Sequence, residues 1–152
     1  MTKFSKKIRK AIFPVGGLGT RFLPATKSIP KEMLPVLDKP LVQYAVDEAL
    51  EADIEEFIFV TGRGKSAIEN YFDHSIELEN NLKDKDNLEN LGLIQKTVLK
   101  PGSVSFVRQQ RPLGLGHAVW CARNFISDEP VAVILADDLI EANPGCMKQM
   151  IE

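Results

Sequence analysis

An apolar run, Ala11-Ile12-Phe13-Pro14-Val15, passes directly into Gly16-Gly17-Leu18-Gly19-Thr20-Arg21, and this junction constrains the chain more than any other segment. The run reads as a short buried strand, and the glycines after it leave main-chain N–H groups uncovered. Arg21, Lys27 and Lys31 then supply three cations within eleven residues. A flexible backbone nest followed by fixed positive charge is what a polyphosphate requires, so a nucleoside triphosphate is the expected ligand. Two other phosphate loops fail on their residues. Gly17-Leu-Gly19-Thr-Arg-Phe22 begins like the dinucleotide fingerprint, but Phe22 stands where the third glycine belongs. Gly64-Lys65-Ser66 ends like a Walker A loop, yet Phe59 occupies the position of its first glycine.

Downstream of the loop, segment types alternate. Leu41, Val42, Ala45, Val46, Ala49 and Leu50 follow helical spacing, which predicts a helix over Leu41–Ala52. Glu56–Thr61 reads as a buried strand, Lys65–Phe72 as a short helix and Val104–Arg108 as a third strand. His117–Phe125 reads as a helix and Val131–Leu135 as a fourth strand introduced by Pro130. Strand and helix in alternation imply right-handed parallel crossovers, hence an α/β sheet with helices on both faces. The stretch 75–100 breaks the pattern. It is polar and acidic in its middle, with Leu78, Leu82, Leu88, Leu91 and Ile94 spaced through it, and is expected to form helical turns packed lightly on the domain.

The bulk properties exclude several classes. A length of 152 residues suits one domain able to bury a core, and a net charge of −2 offers no general attraction to nucleic acid or an anionic membrane. Lys3, Lys6, Lys7, Arg9 and Lys10 are read as a solvated arm before the first strand. Cys121 and Cys146 have neither zinc-ligand spacing nor a disulfide framework, which points to a reducing cytoplasm. His74 and His117 stand beside no Ser or Cys in a triad block, so His117 is assigned to packing or capping.

Four further blocks occur in order: Asp38-Lys-Pro-Leu-Val-Gln-Tyr44, Val107-Arg-Gln-Gln110, Gly114-Leu-Gly-His-Ala118 and Val131-Ala-Val-Ile-Leu-Ala-Asp-Asp138. Together with the glycine loop and Pro30-Lys31-Glu32-Met-Leu-Pro35, they resemble the sugar nucleotidyltransferases, and most closely the bacterial UTP–glucose-1-phosphate uridylyltransferases. The resemblance implies a Rossmann-like nucleotidyltransferase fold in which this chain, 1–152, is the nucleotide-binding domain and the N-terminal portion of a longer enzyme. It implies uridylyl transfer from UTP to glucose 1-phosphate, homo-oligomers of the full-length form and no nucleic-acid or membrane partner.

The implied roles fall on particular residues. Gly16, Gly17, Leu18, Gly19 and Thr20 would cradle the nucleotide. Arg21 would stabilise the departing pyrophosphate, since a guanidinium forks two N–H groups onto phosphate. Lys31 would bridge the α-phosphate and the sugar phosphate, with Lys27 a less certain cation. Glu32 would accept hydrogen bonds from base or ribose donors, or else serve structure by tethering Lys31 or capping a turn. Gln109, with Gln110 as the alternative, would read the O4 and N3–H edge of uracil through an amide donor and acceptor. Gly114 would let the base approach the backbone. Asp137 would ligate Mg2+, which would arrive mainly with the nucleotide because one carboxylate binds such an ion weakly. Asp138 is expected to cap or turn. Gly16 stands where the family often has alanine and Ala136 where it has proline, both expected to relax the backbone slightly. Thymidylyl or guanylyl transfer and a catalytically incomplete nucleotide-binding fragment stay open, and the chain alone is expected to have little activity.

Overall fold

A computed structural model describes residues 6–152; Lys3 of the basic arm lies outside them. Four strands, β1 (Lys10–Pro14), β4 (Glu56–Thr61), β5 (Val104–Arg108) and β6 (Ala132–Val133), form a parallel sheet in the order β5-β4-β1-β6. Two-residue strands β2 (Pro35–Val36) and β3 (Lys39–Pro40) form a separate antiparallel hairpin, which periodicity does not reveal. Its turn places Leu37 at φ 57°, a conformation costly for a leucine, with the side chain 93% exposed.

Period-two alternation divides the sheet residues between two cores. Ala11, Phe13, Val15, Phe57 and Phe59 face one side. There they meet α1 (Leu41–Glu51), α2 (Ser66–Phe72) and Met147 of α6 (Cys146–Ile151). Ile12, Ile58 and Val60 face the other side against Ala118 and Ala122, beside α5 (Leu115–Cys121). Phe59 is at the centre of the first core, its ring 4.8 Å from Phe13, 5.3 Å from Phe106 and 5.2 Å from Phe72. The expected helices on both faces are therefore present. The Glu56–Thr61 and Val104–Arg108 strands have the boundaries read from the sequence.

Other boundaries move. The fourth strand shrinks to Ala132–Val133 because only β1 pairs with it, although Ile134 N–H still donates to Ile12 C=O at 2.9 Å. The helix expected at His117–Phe125 begins at Leu115, since Gly114 at φ 97° supplies the entry turn. It gives way after Cys121 to a separate 3₁₀ turn over Arg123–Phe125. The 75–100 stretch forms α3 (Ile76–Asp84) and α4 (Leu88–Gln95), and only Leu91 among their leucines is buried. The light packing expected there is what the helices show. The described cations of the basic arm are not simply solvated. Arg9 binds Glu55 at 2.8 Å, Lys10 binds Glu129 at 2.8 Å, and Lys6 donates to Asp128 C=O at 2.6 Å, because the arm lies along neighbouring loops. At the other end, Glu48 and Glu51 of α1 accept from the Met147 and Gly145 amides, satisfying free N–H groups at the start of α6.

Phe59→Ala should cost about 3–5 kcal/mol, because it empties the ring position shared by three aromatic neighbours. Urea unfolding of the variant reads this directly; a loss under about 1 kcal/mol would contradict the packing described.

Candidate nucleotide site

The glycine loop leaves β1 at the carboxyl ends of the strands, where open α/β sheets hold ligands. Val15 N–H still donates to Val60 C=O at 2.9 Å, so the loop emerges flush against β4. A Cβ on Gly62 would stand 3.0 Å from Gly16 O, and one on Gly16 would stand 3.2 Å from Gln109 Oε1 and 3.3 Å from the Thr61 carbonyl carbon. Gly16 thus leaves Gln109 Oε1 close against the loop with no side chain between them. Gly17 and Leu18 are exposed, with their backbone available to a ligand. Gly19 takes φ 66°, and a side chain there would press on Thr26 and Lys31 within 3.1–3.2 Å. Thr26 Oγ1 closes the loop by donating to Gly19 C=O at 2.6 Å.

Beneath the loop runs Lys31. Its Cβ lies under Gly19 and its Cε under Gly17, and its ammonium donates to Asp137 Oδ2 at 2.6 Å. The two residues are 106 positions apart, so the sheet brings them together. Partial burial pushes the Asp137 carboxyl up, but the Lys31 bond and charge, with help from Arg21, outweigh this and hold it below the usual carboxylate range. Arg21, in a 3₁₀ turn over Thr20–Phe22, is exposed and contributes its charge from the loop side. Lys27 is exposed and forms no ion pair among the described residues. Asp138 N–H closes a turn on Leu135 C=O at 3.1 Å.

Gln109 forms the opposite wall. Its main chain donates to Thr61 C=O at 2.8 Å. Its Nε2 donates to Gly114 C=O at 3.1 Å and lies 3.0 Å from His117 Nδ1, which accepts when the neutral imidazole carries its proton on Nε2. In that tautomer both amide hydrogens are engaged within the protein and Oε1 is the acceptor left to a ligand. Gln110 is exposed and lines a separate cavity that His117 also borders.

Glu32 is not beside Lys31's ammonium and does not open onto the loop. It is 1% exposed and its Oε2 accepts from Lys65 Nζ at 2.8 Å, while Oε1 has no partner. A buried carboxylate must be paired, and the Lys31–Met33 turn aims it at the segment after β4. The tether that the sequence offered to Lys31 therefore falls on Lys65 instead.

Donors for a divalent ion are sparse. Among the described residues no group of three His, Cys, Asp or Glu side chains comes together, and Asp137 is the only carboxylate beside the loop cations. That set suits a hard ion delivered with most of its oxygen ligands already attached, not one held by protein alone. A cavity of about 610 Å³ lies elsewhere, between the hairpin, α2 and the α3–α4 pair. Asp38, Asp47, Asp73 and Glu79 outnumber Lys39 and Lys96 on its walls, which makes it hostile to a triphosphate.

A nucleotidyl transferase family model matches residues 10–152. The chain belongs to the nucleotidyl transferase family. This family member is 55% identical over 147 residues to a UTP–glucose-1-phosphate uridylyltransferase of Bacillus subtilis (strain 168), an alignment covering 97% of this chain and 50% of that protein. It is 49% identical to the enzyme of that name from Komagataeibacter xylinus, over 97% of this chain and 52% of the relative. A solved structure of a UTP-bound UGPase from Acinetobacter baumannii superposes with a TM-score of 0.88 at 49% identity, covering 95% of this chain and 51% of that one. The nucleotidyl transferase chain thus spans about half the length of the curated relatives it matches.

One residue beside the loop escaped sequence reasoning, and another was read there only as packing or capping. Lys65 was visible only as part of a failed Walker loop, and a buried lysine has no pattern of its own. His117 lies three residues beyond Gly114, a helical spacing that could have suggested contact with the loop it closes.

Two outcomes follow from these pairs. Lys65→Met should destabilise the chain by about 3–5 kcal/mol, and adding Glu32→Gln should recover much of it, measured by urea unfolding. Carbon NMR of Asp137 should show a midpoint below the ordinary aspartate value of about 3.9, rising in Lys31→Met. Its folded pKa is depressed, so the stability it contributes is present above that ordinary value and is lost as pH falls through the folded midpoint.

Proposed function

We propose that the chain is the nucleotide-binding domain, 1–152, of an enzyme that transfers the uridylyl group of UTP to glucose 1-phosphate, releasing pyrophosphate. One observation carries the reading. The same glycine backbone lies between the Gln109 amide and the Lys31–Asp137 pair, so a base and a triphosphate can be held at once. Gly17, Leu18, Gly19 and Thr20 present backbone to the phosphates. Oε1 of Gln109 accepts from uracil N3–H, and His117 and Gly114 keep the amide in that orientation.

Both reactants are polyanions, so charge neutralisation and in-line positioning dominate the step. Lys31 moves its ammonium from Asp137 to the α-phosphate and the incoming sugar phosphate, and Arg21 meets charge developing on pyrophosphate. Asp137, once released, would hold Mg2+ carried by the nucleotide; such an ion neutralises phosphate oxygens and polarises the phosphorus. No covalent protein intermediate is needed. The relatives named for this reaction support the uridylyl reading; with it we take the enzyme to be cytoplasmic, its sugar-binding half to belong to a longer form that makes homo-oligomers, and neither nucleic acid nor membrane to be a partner. The half-length match also favours a second reading, a nucleotide-binding unit that is catalytically incomplete by itself.

Calorimetry with magnesium should show UTP bound in preference to dTTP, GTP and ATP, with UDP-glucose formed slowly or not at all by the 152-residue chain. In a form extended to the relatives' length, Arg21→Ala should lower turnover by about 10²-fold or more. Absence of UTP uptake, or normal turnover in that variant, contradicts the assignment.

A further inference from the structure

Three of the chain's six arginines, Arg108, Arg111 and Arg123, line one cavity of about 360 Å³ with His117 and Trp120. No carboxylate lines it, and among the described residues none of the three guanidiniums forms a salt bridge. This is out of keeping with a chain whose net charge is −2. Gathered like charges repel one another, so the cluster is disfavoured unless an anion joins it.

The walls also limit what that anion can be. Arg123 lies 3.5 Å over the Trp120 ring and donates from Nη1 to Trp120 C=O at 3.2 Å, while His117 stacks on the same ring at 5.8 Å. The tryptophan is thus engaged in orienting a guanidinium rather than offering a free platform for a base. Arginine forks match phosphate oxygens in pairs, and the volume is that of a small ligand and not of a docked helix. The cavity shares His117, with Cys121 beside it, with the network around Gln109 and contains neither the glycine loop nor Lys31.

We propose that Arg108, Arg111 and Arg123 form a second phosphate site, which takes a small, multiply charged phosphate independently of the glycine loop. Trp120 is the only tryptophan of the chain and reports on it directly. The test titrates sodium pyrophosphate into the chain at constant ionic strength, following Trp120 fluorescence and, by calorimetry, the number of bound ions. Expected is a saturable fluorescence change that is absent in Trp120→Phe and retained in Arg21→Ala, whose loss concerns the other site. Arg108→Ser with Arg111→Ser should weaken it by about tenfold per guanidinium and remove one ion from the calorimetric count, with circular dichroism showing the variant folded. Four results overturn the proposal: no second ion, a change reproduced by sodium chloride, indifference to the arginine substitutions, or a response to polyglutamate without one to pyrophosphate. The last would mark a surface for acidic protein instead. Retention in Arg21→Ala separates failure here from failure of the uridylyl reading.

Discussion

Lys31 and Glu32 are adjacent in a single 3₁₀ turn, yet their side chains reach opposite parts of the molecule. Lys31 passes beneath the glycine loop to Asp137, and Glu32 is buried against Lys65. The first contact joins the loop after β1 to the end of β6; the second joins it to the segment after β4. Two ion pairs from neighbouring residues therefore position a segment that has little regular structure of its own. They differ in character. Lys65 and Glu32 are almost wholly buried, so neither can leave without stranding the other's charge. Lys31 and Asp137 are partly solvated, which makes theirs the pair that can open, as the proposed mechanism requires.

The opposite wall works by hydrogen bonding. Gln109 has its main chain on Thr61, its amide hydrogens on Gly114 and His117, and its carbonyl against Gly16. An amide so held cannot rotate to suit whichever base arrives. Under the proposed function, discrimination between bases rests on such preorganisation, because a misplaced partner leaves a buried polar atom unpaired. Gly16 and Gly62 belong to the same arrangement: each omits a side chain where two strand ends leave only tight room for one.

Family membership and local geometry carry different parts of the functional argument. The match over residues 10–152 assigns the fold and the class of chemistry. The arrangement of Gly17, Lys31, Gln109 and Asp137 explains how a chain of this class can hold a nucleotide. The arginine cavity lies outside that account, and its unbalanced charge is what sets it apart from an ordinary solvated surface.

Strands, helices and the phosphate loop were legible in the residues because they depend on local signals: alternation, helical spacing and glycines after an apolar run. β4 and β5 could be bounded to the residue since they are interior or well-paired runs of apolar side chains. The short hairpin at Leu37, the truncated β6 and the split after Cys121 could not, because they are set by neighbours and turns rather than by periodicity. The same division governs the site. Which residue types were available for phosphate, base and metal was written along the chain. Which carboxylate each lysine would meet was not: Asp137 for Lys31 and Lys65 for Glu32 are choices made by burial and charge between segments that only the folded sheet brings within reach.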